Sequence, residues 1–152
     1  MGPEDVEPLT WALTERGLQT SATSLIASTE YVHRFGRRVA EFWEKGFDLL
    51  LTPTQAAPPP RIGELGSDPD NPLAPFLASA PYGVYTLPFN LSGQPAISLP
   101  AGFTRGDEKW PSGLPLGVQF VARQGEERLL FSVARQWEQA APWAHHVPPI
   151  FG

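Results

Sequence analysis

The chain has 152 residues, a formal net charge of −5 and 18% charged side chains, with 18 prolines and 14 glycines. That length suffices for one domain with a real core, while low charge joined to high Pro and Gly predicts a loop-rich fold or a piece whose surface is partly covered by something else. The acidic balance argues against nucleic acid or an anionic membrane surface as partner, and the lack of cysteine excludes a disulfide framework, a thiol nucleophile and a Cys zinc site.

No run approaches the roughly 18–20 apolar residues of a membrane span. The first residues lack the basic start and apolar core of a signal peptide. The expected setting is therefore soluble and cytoplasmic.

In chain order, residues 8–16 are expected to form a short helix, with Pro8 at its first position and Gly17 as a left-handed cap. A longer helix is expected over about 22–45, with Ser21 as N-cap and Gly46 as C-cap. Leu25, Val32, Phe35, Val39, Phe42 and Trp43 recur at helical spacing and predict one buried stripe. His33 lies beside that stripe and reads as a packing or surface histidine. Residues 47–51 are short and almost wholly apolar, which predicts a strand covered on both faces, as in a parallel sheet, and ended by Pro53. Residues 55–71 are proline-rich and are expected to be a flexible surface loop. Asn71-Pro72 has the form of an N-cap and first-turn proline, opening a short irregular helix through Leu77. Residues 82–87 suit either a helical turn or extended chain.

From Asn71 to Thr104 there is no Asp, Glu, Lys, Arg or His. Such a segment on open surface invites aggregation, so it is expected to be buried or to wall an apolar pocket. Within it, Pro88, Pro95 and Pro100 deny residues 87–103 a long helix and predict loop, strand and turn. Residues 96–103 and 116–121 both alternate, with Gln119 on the face opposite Val118 and Phe120. The polar stretch 105–113 between them predicts an antiparallel pair with a long exposed tip. Gly125 and the acids Glu126 and Glu127 then open an amphipathic helix marked by Leu129, Leu130, Val133, Ala134 and Trp137, and Pro142 stops it. The apolar tail, 143–152, is expected to pack across a surface it cannot cover alone. This order of elements is that of an α/β protein with a mixed sheet.

The residues that could carry chemistry are few. There is no Gly-x-Ser-x-Gly elbow, no phosphate-cradling Gly-x-x-x-x-Gly-Lys and no His-Glu-x-x-His. His145 and His146 are adjacent, so they are expected to point different ways and chelate poorly; no metal and no cofactor is expected. Lys45 and Lys109 sit in charged surroundings that favour a protonated ammonium over a base. Ser92 and Ser98 have no Lys or His within local reach and read as hydroxyls bonded to backbone. Asn90 and Gln94 stand out, because a side-chain amide in an apolar segment must hydrogen-bond something, either its own loop or a ligand. Together with Phe89 and Tyr85 they are the candidate substrate-binding residues. On the residues alone, the chain holds a pocket wall and no catalytic set.

The run Asp48-Leu49-Leu50-Leu51-Thr52-Pro53-Thr54 and residues 88–102, with their Asn90-Leu91-Ser92-Gly93-Gln94-Pro95 turn, resemble the C-terminal part of the amidase signature family. So do residues 113–121, Glu127-Arg128-Leu129-Leu130 and the closing Pro142-Trp143. The resemblance spans essentially the whole chain. It implies a partial mixed sheet flanked by helices, forming a single C-terminal segment over 1–152. The family consists of amide hydrolases acting on non-peptide C–N bonds through a Lys–Ser–Ser triad on a Gly/Ser-rich segment, whose backbone N–H groups stabilise the oxyanion. No such run occurs here, so no catalytic residue carries over to any position.

The chain is thus expected to complete the sheet and acyl pocket of an amide hydrolase and to be inactive alone. Its expected partner is the N-terminal catalytic portion of an amidase, or a second copy by self-association, with a small amide substrate bound only on assembly. The charge-free segment implies a neutral or apolar acyl group. A stand-alone binding module derived from the fold, or a truncated remnant without function, stays open at this point.

Overall fold

The structure, a computed structural model, describes residues 2–147. A 3-10 turn (Pro3–Asp5) precedes helices α1 (Pro8–Leu18) and α2 (Ala22–Trp43) and strand β1 (Leu49–Pro53). Three short helices follow, α3 (Ala74–Ala78), α4 (Ala80–Gly83) and α5 (Leu87–Ser92), then strands β2 (Ala96–Phe103) and β3 (Pro115–Ala122) and helix α6 (Glu127–Ala140). The α/β class with a partial sheet flanked by helices is as expected, while among the described residues the strand pairings are antiparallel where a mixed sheet was expected. Residues 55–71 contain neither helix nor strand.

The strands lie in the order β1–β3–β2, with β3 antiparallel to both neighbours. The β2–β3 pair is the expected hairpin. Strand β1 is not the parallel-sheet strand that its apolar run predicted: it pairs antiparallel to β3 at the sheet edge, and Leu51 is exposed. Its continuous apolar run reflects two half-covered faces, a pattern that periodicity alone cannot distinguish from a parallel interior position.

Side chains alternate across the sheet. One face, with Leu49, Val118, Phe120, Ala122, Ile97 and Leu99, packs on α6. Leu130 and Ala134 of α6 are buried there, and Val133 and Trp137 pack at the margin, as the amphipathic spacing predicted. Trp137 also donates its indole N–H to the Pro100 carbonyl at 2.8 Å, tying the end of α6 to β2.

Ser21 caps α2 as expected, its Oγ accepting from the Ser24 N–H at 3.1 Å. Gly46, at φ +88°, supplies the left-handed residue beyond the helix end. Gly17 does not act as a cap: α1 runs through it to Leu18, because the Gln19 N–H still reaches the Glu15 carbonyl. Helix α3 begins at Ala74 rather than at Pro72, with the Asp68 carboxylate accepting from the Asp70 and Asn71 N–H groups just before it. Residues 82–87 divide between the end of α4 and a turn into α5.

The predicted stripe on α2 is covered from Val32 onward: Val32, Phe35, Val39 and Phe42 are half-buried and Trp43 is 2% exposed, whereas Leu25 at its start is 62% exposed. Ile26 and Tyr31, outside the stripe, are open as well. Helical periodicity records which face is apolar, not what covers it. Helix α5 crosses α2 at Gly36, where an added Cβ would lie 3.7 Å from the Ser92 carbonyl oxygen.

The charge-free segment behaves similarly. The short helix expected at its start is α3, whereas residues 87–92 are helical where loop was expected, because Pro88 falls in the first turn of α5, where its missing N–H costs nothing. Gly93, at φ +80°, ends that helix. Phe76, Leu77, Val84, Leu87 and Leu91 are all exposed, so much of the segment expected to be buried is apolar surface. Trp143 and Val147 of the tail are exposed too; the expectation for residues 148–152 lies outside the described residues.

Candidate functional site

The sheet face turned away from α6 is apolar at one end, where Val121 is fully buried between Leu50 and Ala96, and polar towards the other. By register it carries Thr52 and the following Thr54 beside β3, Gly117 and Gln119 on β3, and Ser98 on β2. Gln119 pairs with Thr52 on one side and with Ser98 on the other.

Gln119 is 4% exposed, and its amide nitrogen is fully used. Nε2 donates to Thr52 Oγ1 at 3.1 Å and to the Tyr85 carbonyl at 3.0 Å. A buried amide must find such partners, and here they pin the α4–α5 connection to the middle of the sheet. The Ala56 N–H adds a second tie, donating to the Pro81 carbonyl at 2.8 Å. Replacing Gln119 by leucine keeps the volume but strips the Tyr85 carbonyl of its donor. The expected cost is about 1–3 kcal/mol, with hydrogen exchange quickening across residues 80–92 more than in β2 or β3.

The four residues singled out from the sequence divide by environment. Tyr85 and Phe89 are half-buried along the segment that Gln119 holds. Asn90 is exposed on α5, and its side chain makes no hydrogen bond among the described residues. Gln94 is buried and accepts a hydrogen bond from the Ser92 hydroxyl, so both side chains staple their own turn. Ser92 therefore bonds a side chain rather than the backbone.

Beside this group lies a feature that local reading missed. Thr54 Oγ1 and Ser98 Oγ are 2.6 Å apart, a hydroxyl–hydroxyl hydrogen bond that spans β3 and joins residues 44 positions apart in sequence. It runs over Gly117, where an added Cβ would sit 2.7 Å from Thr54 Oγ1 and 3.1 Å from Ser98 Oγ. Glycine within a strand costs roughly 0.5–1 kcal/mol relative to alanine, and the bare backbone is what leaves room for the pair. The legible signal was an isolated Gly in an alternating strand, which marks a close approach.

A cleft of about 740 Å³ opens at this end of the sheet, walled by Thr54, Ala57, Pro58, Ala101, Pro115 and Leu116, with no ionisable side chain in its lining among the described residues. A second, of about 790 Å³, is aromatic, with Phe103, Trp137, Trp143, His145 and His146 around it. The two histidine rings do not diverge as adjacency suggested: their centroids are 4.1 Å apart, and His146 packs edge-on against Phe103. Among the described residues, no group of three or more His, Cys, Asp or Glu is placed to hold a metal ion. No described base hydrogen-bonds the Thr54 or Ser98 hydroxyl, so the face can present donors and acceptors but activates no nucleophile by itself.

The model of the Amidase family matches residues 6–131. A 6-aminohexanoate-cyclic-dimer hydrolase of Paenarthrobacter ureafaciens is 38% identical over 97% of this chain, which spans 30% of that relative. The hydrolase of the same name from Pseudomonas sp. (strain NK87) is likewise 38% identical over 97% of the chain, again 30% of its own length. The structure of a 6-aminohexanoate cyclic dimer hydrolase complexed with substrate superposes on all of this chain with a TM-score of 0.89 and 35% identity, over 31% of its own length. The chain spans less than a third of the relatives it matches. Four sequence blocks, the sheet with its helices and these likenesses agree: this chain belongs to the Amidase family.

Proposed function

We propose that the chain is the C-terminal segment, over 1–152, of an amide (C–N bond) hydrolase. It completes the sheet and walls the acyl pocket, while the Lys–Ser–Ser chemistry comes from an N-terminal catalytic part. The observation that carries this reading is the apolar face left open on α2 and α3–α5. Leu25, Leu77 (68% exposed), Leu87 and Leu91 have the composition of a core and the exposure of a surface. In a protein of which this chain is about 31%, as in the superposed hydrolase, that face has something to meet.

Tyr85, Phe89, Asn90 and Gln94 are the pocket residues in this reading, with Asn90 offering a free amide and Gln94 holding the turn. The wall they form has no charge from Asn71 to Thr104, which favours a neutral acyl group such as a lactam-like, aryl or short alkyl chain. A relative named for hydrolysing a cyclic dimer of 6-aminohexanoate fits that class. Among the described residues no helix is long and apolar enough to cross a membrane, and the cytoplasm is the proposed setting.

The test is complementation. This chain, assayed alone and mixed with the non-matching remainder of the Paenarthrobacter ureafaciens hydrolase, is expected to hydrolyse neutral amides only in the mixture. Hydrolysis by the chain alone, or preference of the mixture for acidic or zwitterionic acyl groups, refutes the reading.

A further inference from the structure

We propose that the Thr54–Ser98 hydroxyl pair is a hydrogen-bonding site for a neutral amide group in the assembled hydrolase, an inference that rests on the function proposed above. Two hydroxyls carry two protons and four lone pairs. Their mutual bond at 2.6 Å uses one of each. One O–H donor and several acceptor positions stay free at this exposed end of the sheet face. That is the complement of an amide, whose carbonyl accepts and whose N–H donates.

Three observations point to binding rather than to fold stability. Both side chains are solvent-accessible, and water competes with a hydroxyl–hydroxyl bond there, so the pair contributes little to folding. Its geometry nonetheless depends on a strand glycine, since a Cβ on Gly117 would press on both oxygens. Thr54 also lines the 740 Å³ cleft, whose walls hold no ionisable group, so a charged ligand finds no counter-ion and a neutral amide needs none. The amide has two sources: the scissile or neighbouring amide of the substrate, or a main-chain amide of the catalytic part covering this face.

The experiment uses this chain in complex with the remainder of the Paenarthrobacter ureafaciens hydrolase. Thr54→Val, Ser98→Ala and Gly117→Ala are compared with the conservative Thr54→Ser, reading assembly affinity, kcat, KM and Tm. Each disruptive change is expected to lower one of the two affinities about 10-fold, the worth of one hydrogen bond, with Tm little changed and Thr54→Ser close to wild type. A raised KM with unchanged assembly assigns the pair to the substrate amide; weakened assembly assigns it to a main-chain amide. Unchanged assembly and unchanged KM in the Thr54→Val/Ser98→Ala double variant overturn the proposal while leaving the hydrolase reading intact. If the wild-type complex forms but hydrolyses no amide, the hydrolase reading fails, and assembly affinity alone decides whether the pair binds.

Discussion

Replacing Trp43 by alanine is expected to lower folding stability by about 3–5 kcal/mol, as large-to-small changes of a buried indole do. Against the 5–15 kcal/mol that typical domains possess, this is a large share. Trp43 is the buried anchor of α2, packed edge-on against Phe42 at 5.0 Å, which in turn stacks on Phe47 at 4.7 Å. Its carbonyl accepts from the Arg123 guanidinium at 2.9 Å, so the end of α2 is tied to the residue following β3. Losing the indole leaves a cavity at the joint between helix and sheet. The indole Nε1 has no hydrogen-bond partner among the described residues. Trp43→Phe therefore removes an orphaned donor along with some volume, and its cost is expected to stay well below that of Trp43→Ala. Urea unfolding followed by circular dichroism checks both. Equal midpoints for the two variants mean that the joint does not depend on the ring.

Charging the open face tests assembly in the same way. Leu87 and Leu91 are four residues apart on α5, so they share one face, and both are exposed in this chain. The double substitution Leu87→Glu and Leu91→Glu is expected to leave the chain's own stability within about 1 kcal/mol, because nothing buried is disturbed. Covering two carboxylates costs several kcal/mol per ion in a dry interface. Affinity for the proposed catalytic part is therefore expected to fall about 100-fold or more, and any self-association of the isolated chain should fall with it. Isothermal titration of the two parts reads the first effect and sedimentation the second. Undiminished assembly would place the catalytic part elsewhere and leave the apolar face without its proposed occupant.

These expectations draw on different layers of information. Helix α6 was largely legible, since the spacing of Leu130, Val133, Ala134 and Trp137 places them on one side, with Leu129 half-buried and outside the core cluster, and the adjacent hairpin supplies a surface within the same chain. The β2–β3 hairpin was legible for a similar reason: alternation sets its faces, and the polar stretch between the strands permits only a reversal. Capping by Ser21 needed nothing beyond its neighbours.

Other features depended on what lies opposite. The α2 stripe and the charge-free segment were read correctly as apolar, yet whether an apolar face is buried depends on a covering surface that local pattern does not contain. Strand β1 had the right type and the wrong surroundings, because a run of leucines looks alike at a sheet edge and in a parallel interior. Asn90 and Gln94 drew notice by composition, and only tertiary placement separated the exposed amide from the one bound to Ser92.

Sequence by itself thus determined the family, the class of the fold and which faces of each element are apolar or polar. Tertiary structure alone decided that Gln119 holds the Tyr85 carbonyl and that Thr54 meets Ser98 over Gly117. The physical reason is range: caps and periodicity act within a few residues, whereas a hydrogen bond between positions 54 and 98 exists only after β3 has been inserted between their strands.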